Sequence, residues 1–403
     1  MEVKIIDMDH TGRGITKIDN KVCFVPNTLI GEIVDIDIVL DKKKYMIGHL
    51  NKIIKKSNER ITEKCKYAPF CGGCNIMFSS YENQVNYKIN KVKDILKRFA
   101  NIDADITDFI KGDVFNYRNK LTFHVSEKIG LYKEKTTDIV EIDKCIISNK
   151  DINKIYSIIK NMDLNNVYEV IIKKSFNTDD IMVIFCLNDM KSSSFIKPLI
   201  PFVTSIIFKI NNKYKTIYGS DYIIEKMGKY KFIISPDSFF QVNTIQAEKM
   251  YNKIKEYLGE CDSLLDLYCG TGTIGLYVSD ICNNVTGVEI NKYAILDANK
   301  NKELNNVKNI EFICGDSKKV IKNINKTFDV IIVDPPRSGL DKSVVDDLIK
   351  IKPKKIIYVS CDAVTLARDL NLLKDKYILN SISLVDMFPN TSHIECVCVL
   401  RLR

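Results

Sequence analysis

Three groups of residues in this sequence have the types and spacing to do chemistry. Cys361 closes the apolar run KIIYVSCD, which reads as a buried strand delivering its last residue to the carboxyl edge of a sheet, where ligands collect in open α/β folds. A thiolate in such a place is a nucleophile for an electron-poor carbon. Cys269 and Cys314 also stand near strand ends, and for any of the three a small core residue is the plain alternative. The second group is Asp266-Leu-Tyr-Cys-Gly-Thr-Gly-Thr-Ile-Gly, where glycines let the backbone turn tightly and approach a ligand at the following helix N-terminus. The third is CKYAPFCGGC, which puts Cys65, Cys71 and Cys74 on one short loop whose glycines permit tight turns around a metal. Three thiols leave such a site one ligand short.

Acidic residues refine these readings. Gly270, Gly272 and Gly275 have the Gly-x-Gly-x-x-Gly spacing of a dinucleotide loop, so hydride chemistry has to be weighed. Asp266 precedes the glycines, however, and Glu289 ends the next strand about 20 residues on, where a carboxylate accepts hydrogen bonds from both ribose hydroxyls. That pair fits S-adenosylmethionine better than a nicotinamide dinucleotide. The run from Asp334 through Pro335, Pro336 and Arg337 to Gly339 is a rigid loop suited to hold an acceptor carboxylate against a flat base. Glu395 opens the last strand, where a carboxylate can remove a proton; the neighbouring His393 is a rival base and is assigned no role.

The elements that must position these groups fall into three stretches, making a multidomain α/β chain. Residues 1–56 alternate apolar and polar residues in short runs such as VKIID, VCFVP and EIVDIDIVL, the pattern of a small OB-like β-barrel. Its basic turn, Lys42-Lys43-Lys44, suits an RNA backbone or is simply a solvated turn. Residues 57–235 hold the cysteine loop, a helix from Tyr81 to Phe99 expected to brace it, and mixed strands and helices of a central α+β domain. Residues 236–403 alternate apolar strands and helices, which indicates a doubly wound parallel sheet, a Rossmann-like domain.

Composition bounds the partners. The 403 residues carry a formal charge of +9, which favours a polyanion without naming one. No apolar run approaches the roughly 20 residues that span a bilayer, and MEVKIIDMDH lacks the layout of a signal peptide, so a cytoplasmic protein is expected. Thirteen cysteines then point to metal ligation or catalysis more than to disulfides.

In order, SPDSFFQVN, DLYCGTG, DPPRSGL, YVSC, TLARDL and FPNTSHIE resemble the bacterial RNA uracil-5 methyltransferase family, and the first stretch resembles a TRAM domain. The resemblance implies a class I methyltransferase domain with Gln241, Asp266, Tyr268, Gly270, Glu289, Asp316 and Asp334 around S-adenosylmethionine, Cys361 as nucleophile and Glu395 as base. Uracil carbon 5 is a poor nucleophile, so its methylation requires prior thiolate addition at carbon 6. Methylation of an exocyclic amine is the competing chemistry; its enzymes usually carry an aromatic residue after the prolines, where this chain has Arg337. The family also implies Cys145 as fourth ligand, with Cys65, Cys71 and Cys74, of a 4Fe-4S cluster, with zinc as the alternative and a structural role for either.

The implied partner is RNA, 23S ribosomal RNA above transfer RNA, with neither DNA nor a membrane. A non-catalytic RNA-binding assembly factor is the alternative from another class. Tyr117-Arg118-Asn119-Lys120 resembles a family segment facing RNA, with Tyr117 available for stacking. The chain departs from the family at Asp362-Ala363, where Asn-Pro is common; a looser and more acidic loop is expected there, raising the Cys361 pKa.

Overall fold

The computed structural model describes residues 1–190, 193–324 and 326–403. The alternating N-terminal runs form six strands, in the order Glu2–Lys4, Ile33–Asp41, Tyr45–Lys55, Lys21–Val25, Gly14–Ile18, Asp7–Met8. The first and last of these are one continuous segment. Between them, the Ile5 amide donates to Glu32 O and the Ile6 amide to Ile15 O, so residues 2–8 bridge both edges and close a barrel. Alternate positions Ile5, Cys23, Val25, Val34 and Ile36 fill it. Asp19 and Asn20, at φ 49° and 63°, make the tight turn between two of its strands. Lys42, Lys43 and Lys44 are exposed at the tip of the longest hairpin.

A second sheet of seven strands lies between residues 120 and 219. One of its inner strands, Ile181–Leu187, is buried along its whole length because both faces are covered. Val183 and Phe185 pack under the helix Lys150–Ile159, while Met182, Ile184 and Cys186 face a small core with Ile223 and Ile234.

The C-terminal sheet has eight strands, in the order Ile310–Cys314, Cys282–Glu289, Cys261–Leu267, Val330–Val333, Lys355–Ser360, Glu395–Leu402, Tyr377–Val385 and Asp108–Ile110. The first five run parallel, and Glu395–Leu402 is antiparallel to both neighbours. Strand order reverses between Cys261–Leu267 and Val330–Val333, so a crevice opens beyond their carboxyl ends. Helices Lys342–Ile351 and Ala363–Leu373 cover one face and Thr244–Leu258 the other.

Two features differ from the sequence reading. The helix Tyr81–Ile95 buries Val92 and Ile95 in the C-terminal core rather than bracing the cysteine loop. Asp108–Ile110, from the stretch assigned to the central domain, pairs with Tyr377–Val385 as the eighth strand. Three residues are too few to carry a periodic signal, and the pairing has its partner far away in sequence. No helix among the described residues is long and apolar enough to cross a membrane.

Candidate active site and cysteine cavity

Ser360 is paired with Cys396 in the antiparallel ladder, which brings the next residues out, Cys361 and Glu395, beside each other at the sheet edge. Burial pushes the half-buried Cys361 thiol up to about 11, helped by the Glu395 and Asp334 carboxylates and opposed by the Arg337 guanidinium. Burial likewise raises the Glu395 carboxyl well above its ordinary range, with Asp334 adding and Arg337 opposing. Asp334 itself is raised by burial to about 7. A thiol, two carboxyls and one cation thus share a single electrostatic environment.

The TLARDL segment positions this group. Asp369, fully buried, accepts from the Tyr358 hydroxyl at 2.6 Å and from the Leu340 amide at 2.7 Å. Arg368 Nη2 donates to Ser338 O at 2.9 Å and Leu340 O at 3.0 Å, clamping the loop that begins at Asp334. Asp362 accepts from the Val364 and Thr365 amides at 3.0 and 2.9 Å, an N-cap for the helix Ala363–Leu373. The expected looseness at Asp362-Ala363 is therefore absent, because the carboxylate ties the loop to the helix. Asp362 does raise the Cys361 pKa, but burial is the larger cause.

Asp266 ends the strand Cys261–Leu267, fully buried, with Oδ2 accepting from the Gly275 amide at 3.0 Å and Oδ1 buried without a partner. Burial, with Asp334 and then Glu289 nearby, raises its carboxyl to about 8. Tyr268 adopts the left-handed conformation at φ 64°, unusual for a residue with a side chain and common where a loop is shaped for a ligand. Glu289 accepts from the Gly270 amide at 3.2 Å and the Asn291 amide at 2.8 Å, joining the ends of two neighbouring strands. A Cβ on Gly272 would lie 2.5 Å from Phe312 Cζ, whereas one on Gly270 would meet nothing within 4 Å. Gly272 is thus required by packing, and Gly270 leaves open space. Asp316 caps the helix Ser317–Asn323 through the Lys318 amide at 3.0 Å, and its charge is felt at Tyr268.

Gln241 lies partly buried in the loop before the helix Thr244–Leu258, and among the described residues no bond ties it to Asp266, Glu289 or Asp334. Its carbonyl accepts from Asn119 Nδ2 at 3.0 Å. The start of that loop is gathered by the buried Lys173 ammonium, which donates to the carbonyls of Ser235 and Pro236 at 2.9 Å and Ser238 at 3.2 Å. Phe239, two residues before Gln241, is 75% exposed. Tyr117 is not available for stacking: it is 2% exposed and its hydroxyl donates to Pro389 O at 3.0 Å. Nor did the sequence point to the buried ion pair of Lys88 and Asp386 at 2.6 Å, which anchors the segment leading to Glu395, since neither belongs to a patterned motif.

The cysteines of the N-terminal half form a separate feature. Cys65, Cys71, Cys74 and Cys145 all line one cavity of about 340 Å³, with Arg118 and Lys120 on its wall. Asn153 holds Cys145 there, accepting from its amide at 2.8 Å and donating to its carbonyl at 3.0 Å. Gly72 has room for no side chain, since a Cβ would lie 3.0 Å from Glu134 Cα. Burial raises the Cys145 thiol to about 11. Among the described residues, no three His, Cys, Asp or Glu side chains are arranged as ligands to a metal ion. The four thiols converge on a cavity, not on a point.

An uncharacterized RNA methyltransferase of Staphylococcus aureus (strain COL) is 35% identical, over 99% of this chain and 97% of its own. Another, from Clostridium acetobutylicum, is 38% identical over 99% of this chain and 96% of its own. The crystal structure of the Pyrococcus abyssi tRNA (uracil-54, C5)-methyltransferase in complex with S-adenosyl-L-homocysteine superposes with a TM-score of 0.84 at 28% identity, covering 99% of this chain and 100% of that one. The fold is thus that of a class I methyltransferase. Residues 1–50 match the TRAM domain. Residues 80–403 match the tRNA (Uracil-5-)-methyltransferase family, and the chain belongs to that family.

Proposed function

We propose that this chain methylates carbon 5 of a uridine in RNA with S-adenosylmethionine, using Cys361 as nucleophile and Glu395 as proton acceptor. The observation that carries the reading is the placement of a thiol and a buried carboxyl on adjacent positions of paired strands, at the edge where the crevice opens. Asp266 with its unpaired Oδ1, Tyr268, the open space at Gly270, Glu289, Asp316, Asp334 and Gln241 would hold the methyl donor, and the unpaired acceptor and the open glycine are what such a ligand needs. When bound, S-adenosylmethionine supplies the methyl group as a cation equivalent.

The chain's own residues do the rest. Cys361 Sγ, as thiolate, bonds to uracil carbon 6 and sends the ring's double-bond electrons toward carbon 5, which takes the methyl group. Glu395 then removes the carbon 5 proton; those electrons restore the double bond and expel the Cys361 thiolate. Arg337 favours the ionised form of both groups. A uridine in folded RNA reaches such a site by leaving its stack.

The target we favour is 23S ribosomal RNA, on the combination of a TRAM barrel with a four-cysteine site. A second reading, uridine 54 of transfer RNA, is favoured by the Pyrococcus abyssi structure, which matches this chain over the barrel as well. For the cysteines, the reading we favour is a 4Fe-4S cluster held by Cys65, Cys71, Cys74 and Cys145, which all line one cavity, with a single zinc ion as the alternative. Its role would be to tie segments together, because methyl transfer moves no net electrons.

The test is denaturing electrophoresis after incubation with 5-fluorouridine-containing ribosomal or transfer RNA and S-adenosylmethionine. Fluorine cannot be removed as a proton, so the adduct should persist in the wild type and vanish in Cys361→Ala. Methyl transfer without an adduct would overturn carbon 5 chemistry, and an adduct with transfer RNA alone would overturn the ribosomal target. Iron and sulfide analysis of the isolated protein should give a cluster's content; zinc without iron would refute it.

A further inference from the structure

Three segments distant in sequence meet at one asparagine. Asn75 directly follows Cys74, a thiol on the cavity wall. Its Oδ1 accepts from the Ser392 amide at 2.9 Å, and its Nδ2 donates to Ser392 Oγ at 3.1 Å and to Thr11 O of the barrel at 2.7 Å. The next amide, of Ile76, donates to Asn390 O at 3.2 Å. The junction is close-packed: a Cβ on Gly12 would lie 2.9 Å from Ile76 Cγ2 and 3.3 Å from Ser392 Cβ.

A second contact leaves the same cavity. Tyr117 packs with Met77 and Ile147, beside Cys65, Cys74 and Cys145. Its hydroxyl donates to Pro389 O at 3.0 Å, the bond already noted as removing this ring from solvent. Residues 389, 390 and 392 are therefore each bonded to the wall of the cysteine cavity or the residues next to it, and the same stretch runs within three residues into Glu395. Helix Tyr81–Ile95 holds it from the other side, through Lys88 to Asp386, Gln84 to Asn390 and Lys91 to Ser392 O. Only the first set of bonds depends on how the cysteine loop is folded.

We propose that Asn75 is a positioning residue for Glu395, and that through Asn75 and Tyr117 the four-cysteine site sets the order of the loop that delivers this carboxylate. The proposal rests on the reading of Glu395 as proton acceptor. It gives the cysteine site a task in the reaction without any electron transfer: an intact site holds the 389–392 backbone still, and a disrupted one lets Glu395 drift from the carbon 5 proton. Addition by Cys361, on another strand, is not held by these bonds.

The experiment uses the full chain as isolated, with Asn75→Ala, Asn75→Asp, Tyr117→Phe, Cys74→Ser and Glu395→Gln. Tyr117→Phe removes one hydroxyl and keeps the packing, so it serves if the polar variants fold poorly. Amide hydrogen exchange of peptides covering 386–394 should rise about tenfold in Asn75→Ala, Tyr117→Phe and Cys74→Ser, the scale of one lost buried hydrogen bond. With ordinary uridine RNA and S-adenosylmethionine, Asn75→Ala should accumulate the covalent adduct about tenfold while forming it at the wild-type rate. Asn75→Asp keeps the acceptor for the Ser392 amide but turns an oxygen toward Thr11 O, so it should recover only part of both losses. Unchanged exchange in Asn75→Ala and Cys74→Ser overturns the proposal. So does faster exchange with no adduct accumulation when Glu395→Gln does accumulate it. If Glu395→Gln itself accumulates none, the reading of Glu395 fails, and the positioning role with it.

Discussion

Cys361 stands one residue beyond Ser360 and Glu395 one residue before Cys396, and Ser360 and Cys396 are partners in an antiparallel ladder, so thiol and carboxyl emerge together at one edge of the sheet. The carboxylate makes the thiol harder to ionise. The Glu395 charge is the second cause, after burial, of the raised Cys361 pKa, and Arg337 is the cation that opposes the shift at both. The resting enzyme is thereby kept from carrying two uncompensated anions in one pocket.

That arrangement fixes the pH dependence of addition. With the thiol raised to about 11, its thiolate fraction grows about tenfold per pH unit through the neutral and mildly alkaline range. The rate of adduct formation with 5-fluorouridine RNA should therefore climb from pH 6 to pH 9 without levelling, provided the protein stays folded. Arg337→Gln removes the opposing cation and should slow addition several-fold at every pH in that range. A plateau near pH 7 would mean that the thiol is not held up in the way described.

The glycines of the cofactor loop separate packing from conformation. Gly270 and Gly272 both have positive φ, 54° and 76°, so alanine at either meets the left-handed penalty of about 1–2 kcal/mol. At Gly272 the new methyl group would also strike the Phe312 ring at 2.5 Å, while at Gly270 it would enter open space. Denaturant unfolding should show Gly272→Ala as the more destabilising of the two by at least about 1 kcal/mol. S-adenosylmethionine binding should show the opposite order: if the open space at Gly270 takes the ligand, Gly270→Ala should weaken binding about tenfold or more despite its milder effect on stability.

How much of this was legible beforehand follows from what each feature depends on. The barrel alternation, the parallel strands and the residues near the strand ends are local patterns, so the positions of Asp266, Glu289, Asp334, Cys361 and Glu395 in the sheet could be read from sequence. Their supports could not. Lys88 reads as one of many lysines on a helix, yet its ammonium is fully buried against Asp386, 298 positions away. Tyr117 sits in a segment that resembles an RNA-facing one, but its hydroxyl has a partner 272 positions on, and only the fold reveals it. The same holds for Asp108–Ile110, whose pairing with Tyr377–Val385 is long-range and too short to leave a pattern.

The buried ion pair makes a stability prediction with a sign. Lys88 and Asp386 have side chains fully shielded from solvent, and the Tyr81 hydroxyl donates to the second carboxylate oxygen at 3.0 Å. Removing only the cation, in Lys88→Met, strands the carboxylate and should cost about 3–5 kcal/mol. Removing both, in Lys88→Met with Asp386→Leu, should cost clearly less than the sum of the single changes, because neither charge is left alone. Unfolding midpoints of the four proteins in that cycle give the coupling directly, and additive losses would show that the pair is not coupled.

Lys173 offers the last test. Its ammonium gathers three carbonyls, of Ser235, Pro236 and Ser238, at the start of the loop that ends in Gln241, and burial lowers its pKa to about 7. Methionine matches the length of the stem but donates nothing, so Lys173→Met leaves three acceptors without their donor, and the loop should open to let water reach them. Gln241 would then lose its placement, and S-adenosylmethionine affinity should fall about tenfold or more. Lys173→Arg keeps the charge but not the compact donor geometry and should recover only part of the loss. Isothermal titration of both variants with S-adenosylmethionine decides it: unchanged affinity in Lys173→Met would show that the loop is held by Asn119 at its far end and that Lys173 serves the fold alone.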